Sequence, residues 1–194
     1  MKTQNAVSVV LAGVGGQGIL LASEIVARTA MNAGFDVKTN EVHGMAQRGG
    51  SVIAQIRYGP AVHSPLVQEG TAAVLGALEQ IEALRFAHYL AKTGLAVVSS
   101  RAIVPVTVSS GQAAYPGDVR QRLSTVFPRL AYLEADALAS SAGNIRAANL
   151  VILGAMSHGL DLPLEAWLSA IKSSVAAKHL DVNLKAFDLG RTAQ

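Results

Sequence analysis

Apolar positions fall along this chain in two rhythms. Short continuous apolar runs occupy residues 6–12 (Ala6-Val7-Ser8-Val9-Val10-Leu11-Ala12), 51–58 and 71–77, and read as strands. Between them the spacing turns helical, at 18–33 and at 78–91, where Leu78, Ile81, Leu84 and Leu90 recur on one face. Further strands are expected at 35–40, 95–99 and 104–108, with Pro105 marking the last as an edge or a bulge. Helical segments are expected at 117–124, 136–142, 145–158 and 163–176. Strands that alternate with helices predict an α/β, Rossmann-like three-layer fold: a mostly parallel sheet covered by helices on both faces. No repeat, low-complexity tract or linker divides the chain, so residues 1–194 are expected to form one domain.

Composition sharpens this picture. The chain is 51% hydrophobic and only 15% charged, yet no apolar run reaches the ~20 residues of a membrane helix. The apolar excess therefore belongs to a core and to an interface with a partner. The same interface would equally serve a homodimer of the isolated chain. The net charge is +3, but the basic residues are scattered singly without interleaved aromatics, which argues against nucleic acid. Met1-Lys2-Thr3-Gln4-Asn5 leads into the first strand with no cleavage pattern, so a cytoplasmic location is expected. There is no cysteine, which excludes disulfides, a catalytic thiol and cysteine-held zinc or iron–sulfur clusters.

Gly13-Val14-Gly15-Gly16-Gln17-Gly18 stands between the first strand and the first helix. Strand, glycine turn and helix together present free backbone N–H groups at a helix N-terminus, where an anion can sit. The spacing fits the dinucleotide fingerprint, and Glu41, at the end of the second strand, is the one candidate for the ribose hydroxyls. Such a turn can also simply pack a helix close against a sheet. It is no nucleotide P-loop, because Ile19-Leu20 stand where Lys-Ser/Thr would be needed.

His43-Gly44-Met45-Ala46-Gln47-Arg48-Gly49-Gly50-Ser51 lies where a second βα unit should turn. Gly49 and Gly50 permit close backbone approach, Arg48 offers a planar donor fork for carboxylate or phosphate, and His43 a titratable ring. Strand-order logic places this loop beside the 13–18 turn, at the carboxyl end of the sheet. A turn capped by polar side chains is the plainer reading.

These two blocks, continuing to Val52, resemble the beta subunits of indolepyruvate ferredoxin oxidoreductases. Those subunits are similar to the gamma subunits or domains of pyruvate and 2-ketoisovalerate ferredoxin oxidoreductases. Ser64-Pro65-Leu66, Tyr115-Pro116 and the stretch from Val182 to Gly190 fit the same pattern, so the resemblance spans nearly the whole chain. One departure is Ala72-Ala73, where the family usually has an acidic residue. The resemblance implies a subunit of an enzyme that oxidatively decarboxylates aryl 2-oxoacids to acyl-CoA and passes electrons to ferredoxin. It implies a larger alpha subunit carrying thiamine diphosphate, magnesium and iron–sulfur clusters, with CoA as co-substrate and no cofactor bound by this chain alone. The residues agree: cysteine is absent, and Gly117-Asp118-Val119 is only a fragment of a magnesium–diphosphate motif. The site residues proposed to lie near CoA or substrate are Gly13, Gly15, Gly16, Gln17, Gly18, His43, Met45, Arg48, Gly49, Gly50, Ser51 and Ser64. No catalytic residue or metal ligand is assigned.

A free-standing NAD(P)-binding reductase using the 13–18 turn is the alternative reading. It lacks a Tyr-x-x-x-Lys pair. Ala155-Met156-Ser157-His158-Gly159 only loosely imitates a hydrolase nucleophile elbow and reads better as a buried helix end. Trp167 with Leu164, Leu168 and Ile171 reads as core or interface, and Glu79, Glu82 and Arg85 as a solvated helix face.

Overall fold

A computed structural model describes residues 6–43, 49–104, 108, 111 and 114–193. Strand β1 (Val7–Val14) is buried along almost its whole length, as its unbroken apolar sequence requires. Helix α1 (Ile19–Asn32) follows, then β2 (Asp36–His43), β3 (Ser51–Gly59) and β4 (Ala72–Ala77). A short α2 (Gln80–Arg85) leads to β5 (Leu90–Ser99), α3 (Val119–Val126) and β6 (Leu130–Leu133). Helices α4 (Ala135–Ala142), α5 (Ala148–Met156), α6 (Leu164–Ser174) and α7 (Leu180–Thr192) complete the chain.

The sheet order is β2-β3-β1-β4-β5-β6. Strands β1, β4, β5 and β6 pair in parallel, whereas β3 is antiparallel to both β1 and β2. The sheet is mostly parallel, as expected, and antiparallel at one side, because β2 and β3 form a hairpin where a βα unit was expected to turn.

Side-chain alternation along β1 divides the core between the two faces. Val9 and Leu11 point into the larger half, with Ile25, Leu150, Trp167 and Phe187 from the helices. Val10 and Ala12 point into the smaller half, with Leu123 of α3, Phe127 just after it and Val67 of the 60–71 connection. The core role expected for Trp167 and Ile171 holds, although Leu164 stays exposed.

Helix α5 is apolar all round, as a helix enclosed by sheet and helices must be. It crosses α7 so closely that a Cβ on Gly190 would overlap the Val151 carbonyl oxygen, and one on Gly154 would overlap that of Phe187.

Several element boundaries differ from expectation. The helix expected over 78–91 is α2, then a 3-10 turn (Ala87–Tyr89) and the first residues of β5. The apolar positions Leu84 and Leu90 share one face of the sheet's cover, which imitates a helical repeat. Strand β6 is too short, and α7 too polar on average, to stand out in the pattern. Of the strand expected at 104–108, residues 105–107 lie outside the described residues, and Val104 is not in a strand.

Replacing Gly190 with alanine is expected to destabilise the fold by about 2–4 kcal/mol, by forcing α5 and α7 apart. In an ordinary helix the same change gains ~1 kcal/mol. A urea titration of the full chain decides between them, and a neutral or stabilising result would refute the close crossing.

Candidate functional site: the glycine turn at the carboxyl edge

Strands β1, β4 and β5 end together, and the 13–18 turn lies at that edge. Gly18 caps α1 in the left-handed region, φ +79°, where a side chain would be strained. Space is also closed there: a Cβ on Gly18 would lie 2.6 Å from Asn149 Nδ2, which donates to the Gly18 carbonyl at 3.2 Å. Gln17 folds back over the turn. Its Oε1 accepts from the Val14 N–H and its Nε2 donates to the Leu78 carbonyl, both at 2.7 Å. A Cβ on Gly13 would meet that Oε1 at 2.7 Å. Gly13 and Gly18 thus serve close packing, which is the second of the two roles such a turn can have.

The hairpin base meets the turn directly. The Gly15 N–H donates to the Gly50 carbonyl at 2.8 Å, and the Gly49 N–H to the Gly15 carbonyl at 3.5 Å. Ser51, opposite Val14 in register, donates its hydroxyl to the Glu82 carboxylate. Gly13, Gly15, Gly16, Gln17, Gly18, Gly49, Gly50 and Ser51 are therefore brought together, and the backbone of His43 pairs with Val52 at the same end. Met45 and Arg48 lie outside the described residues. Ser64 is not part of this cluster. Its carbonyl accepts from Arg57 Nη1 at 3.0 Å, and Arg57 sits six residues along β3 from Ser51, roughly 20 Å at strand rise.

Two clefts share the turn as a wall. One, of about 540 Å³, is apolar and lined by Val14, Gly15, Gly16, Ile19, Leu20 and Val52. The other, of about 590 Å³, is polar and presents Arg101, Arg146 and Asn149 beside Gly16 and Gln17. Arg101 is paired with Asp136 at 3.4 Å. The first N–H groups of α1 lack intrahelical partners, so the edge can receive an anionic or polar group alongside an apolar one. Among the described residues no cluster of three or more His, Asp or Glu could hold a metal ion.

Strand order settles the dinucleotide expectation. Glu41 is in β2, an edge strand separated from β1 by the whole of β3. It pairs with Ala54, which is level with Leu11, so it lies about 10 Å to the side of β1 and below the turn. A ribose-binding acid belongs on the strand adjacent to β1 at its carboxyl end. Glu41 cannot fill that role.

Residues outside the initial candidates also build the edge. Glu79 and Glu82 were expected on a solvated face, but they are 2% and 5% exposed. Glu79 caps α2: its Oε2 accepts the N–H groups of Ile81 and Glu82 at 2.7 and 3.0 Å. Its Oε1 accepts from the Ile103 N–H at 3.2 Å and the Tyr115 hydroxyl at 3.1 Å. The signal was present as an acid placed directly after an apolar strand, with Glu three residues later, the spacing of a capping box. Tyr115 also accepts from Gln80 Nε2, and Tyr132 donates to Gln80 Oε1, both at 2.9 Å. Burial, with the Glu79 carboxylate behind it, pushes the Tyr115 phenol up to about 12; burial also raises Tyr132.

A family model described as pyruvate ferredoxin/flavodoxin oxidoreductase matches residues 8–193. The chain is 43% identical to the indolepyruvate oxidoreductase subunit IorB of Pyrococcus horikoshii, covering 98% of this chain and 95% of that one. It is equally similar, over the same shares, to the subunit of that name from Thermococcus kodakarensis. Among solved structures it resembles the gamma subunit of a keto/oxoacid ferredoxin oxidoreductase from Geobacter sulfurreducens. That match has TM-score 0.71 and 24% identity, covering 96% of this chain and 97% of the other, and it bears on the fold.

Two outcomes are expected. Calorimetric titration of the isolated chain with NAD(H) gives no binding in the micromolar range, and a 1:1 complex would overturn the strand-order argument. Stability falls as pH rises from about 10 to about 12, because the unfolded chain loses the Tyr115 proton first. The Tyr115→Phe variant has a shallower slope there in pH-dependent melts, and an unchanged slope would contradict the buried phenol.

Proposed function

The chain belongs to the pyruvate ferredoxin/flavodoxin oxidoreductase family, and we propose that it is the small subunit of an indolepyruvate oxidoreductase complex, acting as one gamma-type unit along its length. The observation that carries this reading is the end-to-end likeness, at 43% identity, to proteins of nearly the same length bearing that subunit name. Such a complex oxidatively decarboxylates an aryl 2-oxoacid, joins the acyl group to CoA and gives the electrons to ferredoxin. No thiolate ligand exists in this sequence, and among the described residues no group of three or more His, Asp or Glu could hold a metal ion. These residues do not fit thiamine diphosphate or iron–sulfur clusters, which belong to a larger alpha subunit. The complex works in the cytoplasm. No described helix is long and apolar enough to cross a membrane.

The chain's own part is to bind and orient at the carboxyl edge. CoA carries an apolar-stemmed thiol arm and anionic phosphates, and the edge offers an apolar cleft beside open helix N–H groups. A solved 2-oxoglutarate:ferredoxin oxidoreductase from Magnetococcus marinus, of which this chain matches 31% at TM-score 0.73, holds coenzyme A and succinyl-CoA. His43, Met45 and Arg48 are the further candidates for contact with CoA or substrate, Arg48 for the guanidinium fork it offers a phosphate or carboxylate.

Purified anaerobically from its own cells, the tagged chain is expected to bring a larger cysteine-rich, thiamine-binding protein and a brown colour. A colourless chain that emerges alone would sink the subunit reading. In the assembled enzyme, Arg48→Ala is expected to raise KM for CoA or for the 2-oxoacid about 10-fold or more, the worth of one charged hydrogen bond. Unchanged kinetics for both substrates would remove Arg48 from the site.

A further inference from the structure

Two buried carboxylates one helical turn apart need explanation. A carboxylate out of water is destabilising by several kcal/mol unless donors satisfy it. An apolar side chain at position 82 would fill the same space without that cost. What it would not do is hold Ser51. Glu82 accepts the Ser51 hydroxyl on one oxygen and Arg85 Nε, at 3.0 Å, on the other. Ser51 directly follows Gly50, whose carbonyl receives the Gly15 N–H at 2.8 Å. The grip on Ser51 therefore fixes where the hairpin base and the glycine turn meet.

The contacts close into a ring, two members of which, Val14 and Gly15, line the apolar cleft. Gly15 bonds to Gly50; Ser51 bonds to Glu82; the Glu82 N–H bonds to Glu79. Leu78, next to Glu79, accepts from Gln17, and Gln17 returns to Val14. Three connections are tied by this ring: β1 to α1, β2 to β3, and β4 to α2. Val14, Gly15 and Val52, which line the apolar cleft, are members of the ring or its immediate neighbours.

We propose that Glu82 is a positioning residue of the assembled enzyme: through Ser51 it holds the Gly15–Gly50 junction, and so the wall of the apolar cleft, in the geometry that receives CoA. This rests on the reading above that the cleft receives CoA. Glu82 reaches the junction only through Ser51, and no reacting atom is assigned to it. Its loss is felt in substrate binding and leaves the chemical step alone.

The test uses the assembled enzyme and the full chain side by side. Glu82→Ala and Ser51→Ala are each expected to raise KM for CoA three- to ten-fold, with kcat within two-fold. The double variant is no worse than the poorer single one, because both remove the same bond. Glu82→Gln, whose amide oxygen still accepts from Ser51, recovers most of the loss. In the full chain, the Gly15 amide exchanges with deuterium at least ten-fold faster in both alanine variants and at the normal rate in Glu82→Gln. If Glu82→Ala fails to fold, Ser51→Ala, which removes one hydroxyl, carries the same test. Unchanged exchange at Gly15, or additive effects in the double variant, would overturn the proposal. Arg48→Ala, measured alongside, separates it from the CoA reading. A raised KM in Arg48→Ala with normal values in Glu82→Ala and Ser51→Ala overturns the positioning role alone. Normal KM values in all three overturn the CoA reading and the positioning role together.

Discussion

Strand β1 has to satisfy hydrogen bonds along both edges while burying side chains on both faces, and the other elements are arranged around that demand. Its two edges are met in opposite senses, by antiparallel β3 and parallel β4. Its two faces are met unequally, by five helices, α1 and α4 to α7, on one side and by α2, α3 and the 60–71 connection on the other. The thicker layer buries α5 from Asn149 to Met156, and that helix can lie so near α7 only because Gly154 and Gly190 bring no side chain to the crossing. A helix buried in this way has no polar face to place, so its position is set by packing alone.

The same demand shapes the functional edge. Because β3 follows β2 as a hairpin and inserts beside β1, the loop between them returns to the carboxyl end, where the 13–18 turn already sits. The two glycine-rich segments then meet through their backbones. In a dinucleotide-binding fold a parallel strand would occupy β3's place and carry an acid to the ribose. Here that position holds Ser51, whose hydroxyl donates to Glu82. Gln17 occupies the space directly over the turn and spends its amide on Val14 and Leu78. What remains open lies to either side: an apolar cleft toward the hairpin and a polar one toward Arg101 and Arg146.

A small subunit with 15% charged residues and exposed Leu20, Val42 and Val104 has surface suited to a permanent partner. Leu20 and Val42 lie at the same end as the glycine turn, and Val104 follows β5 at that end too.

Local sequence was enough to place β1 to β4 and the inner part of β5, to show that the 13–18 turn joins a buried strand to a helix, and to exclude cysteine chemistry. Each of these follows from residue identity or from periodicity within a dozen positions. The family was legible in the same way, since its two motif blocks are contiguous. Tertiary structure alone decided the direction of β3, the exclusion of Glu41, the separation of Ser64 from the turn and the burial of Glu79 and Glu82. The physical reason is common to all four. Strand pairing and carboxylate burial depend on what lies across the sheet, and a serine 31 residues away in sequence supplies the donor that lets Glu82 leave solvent.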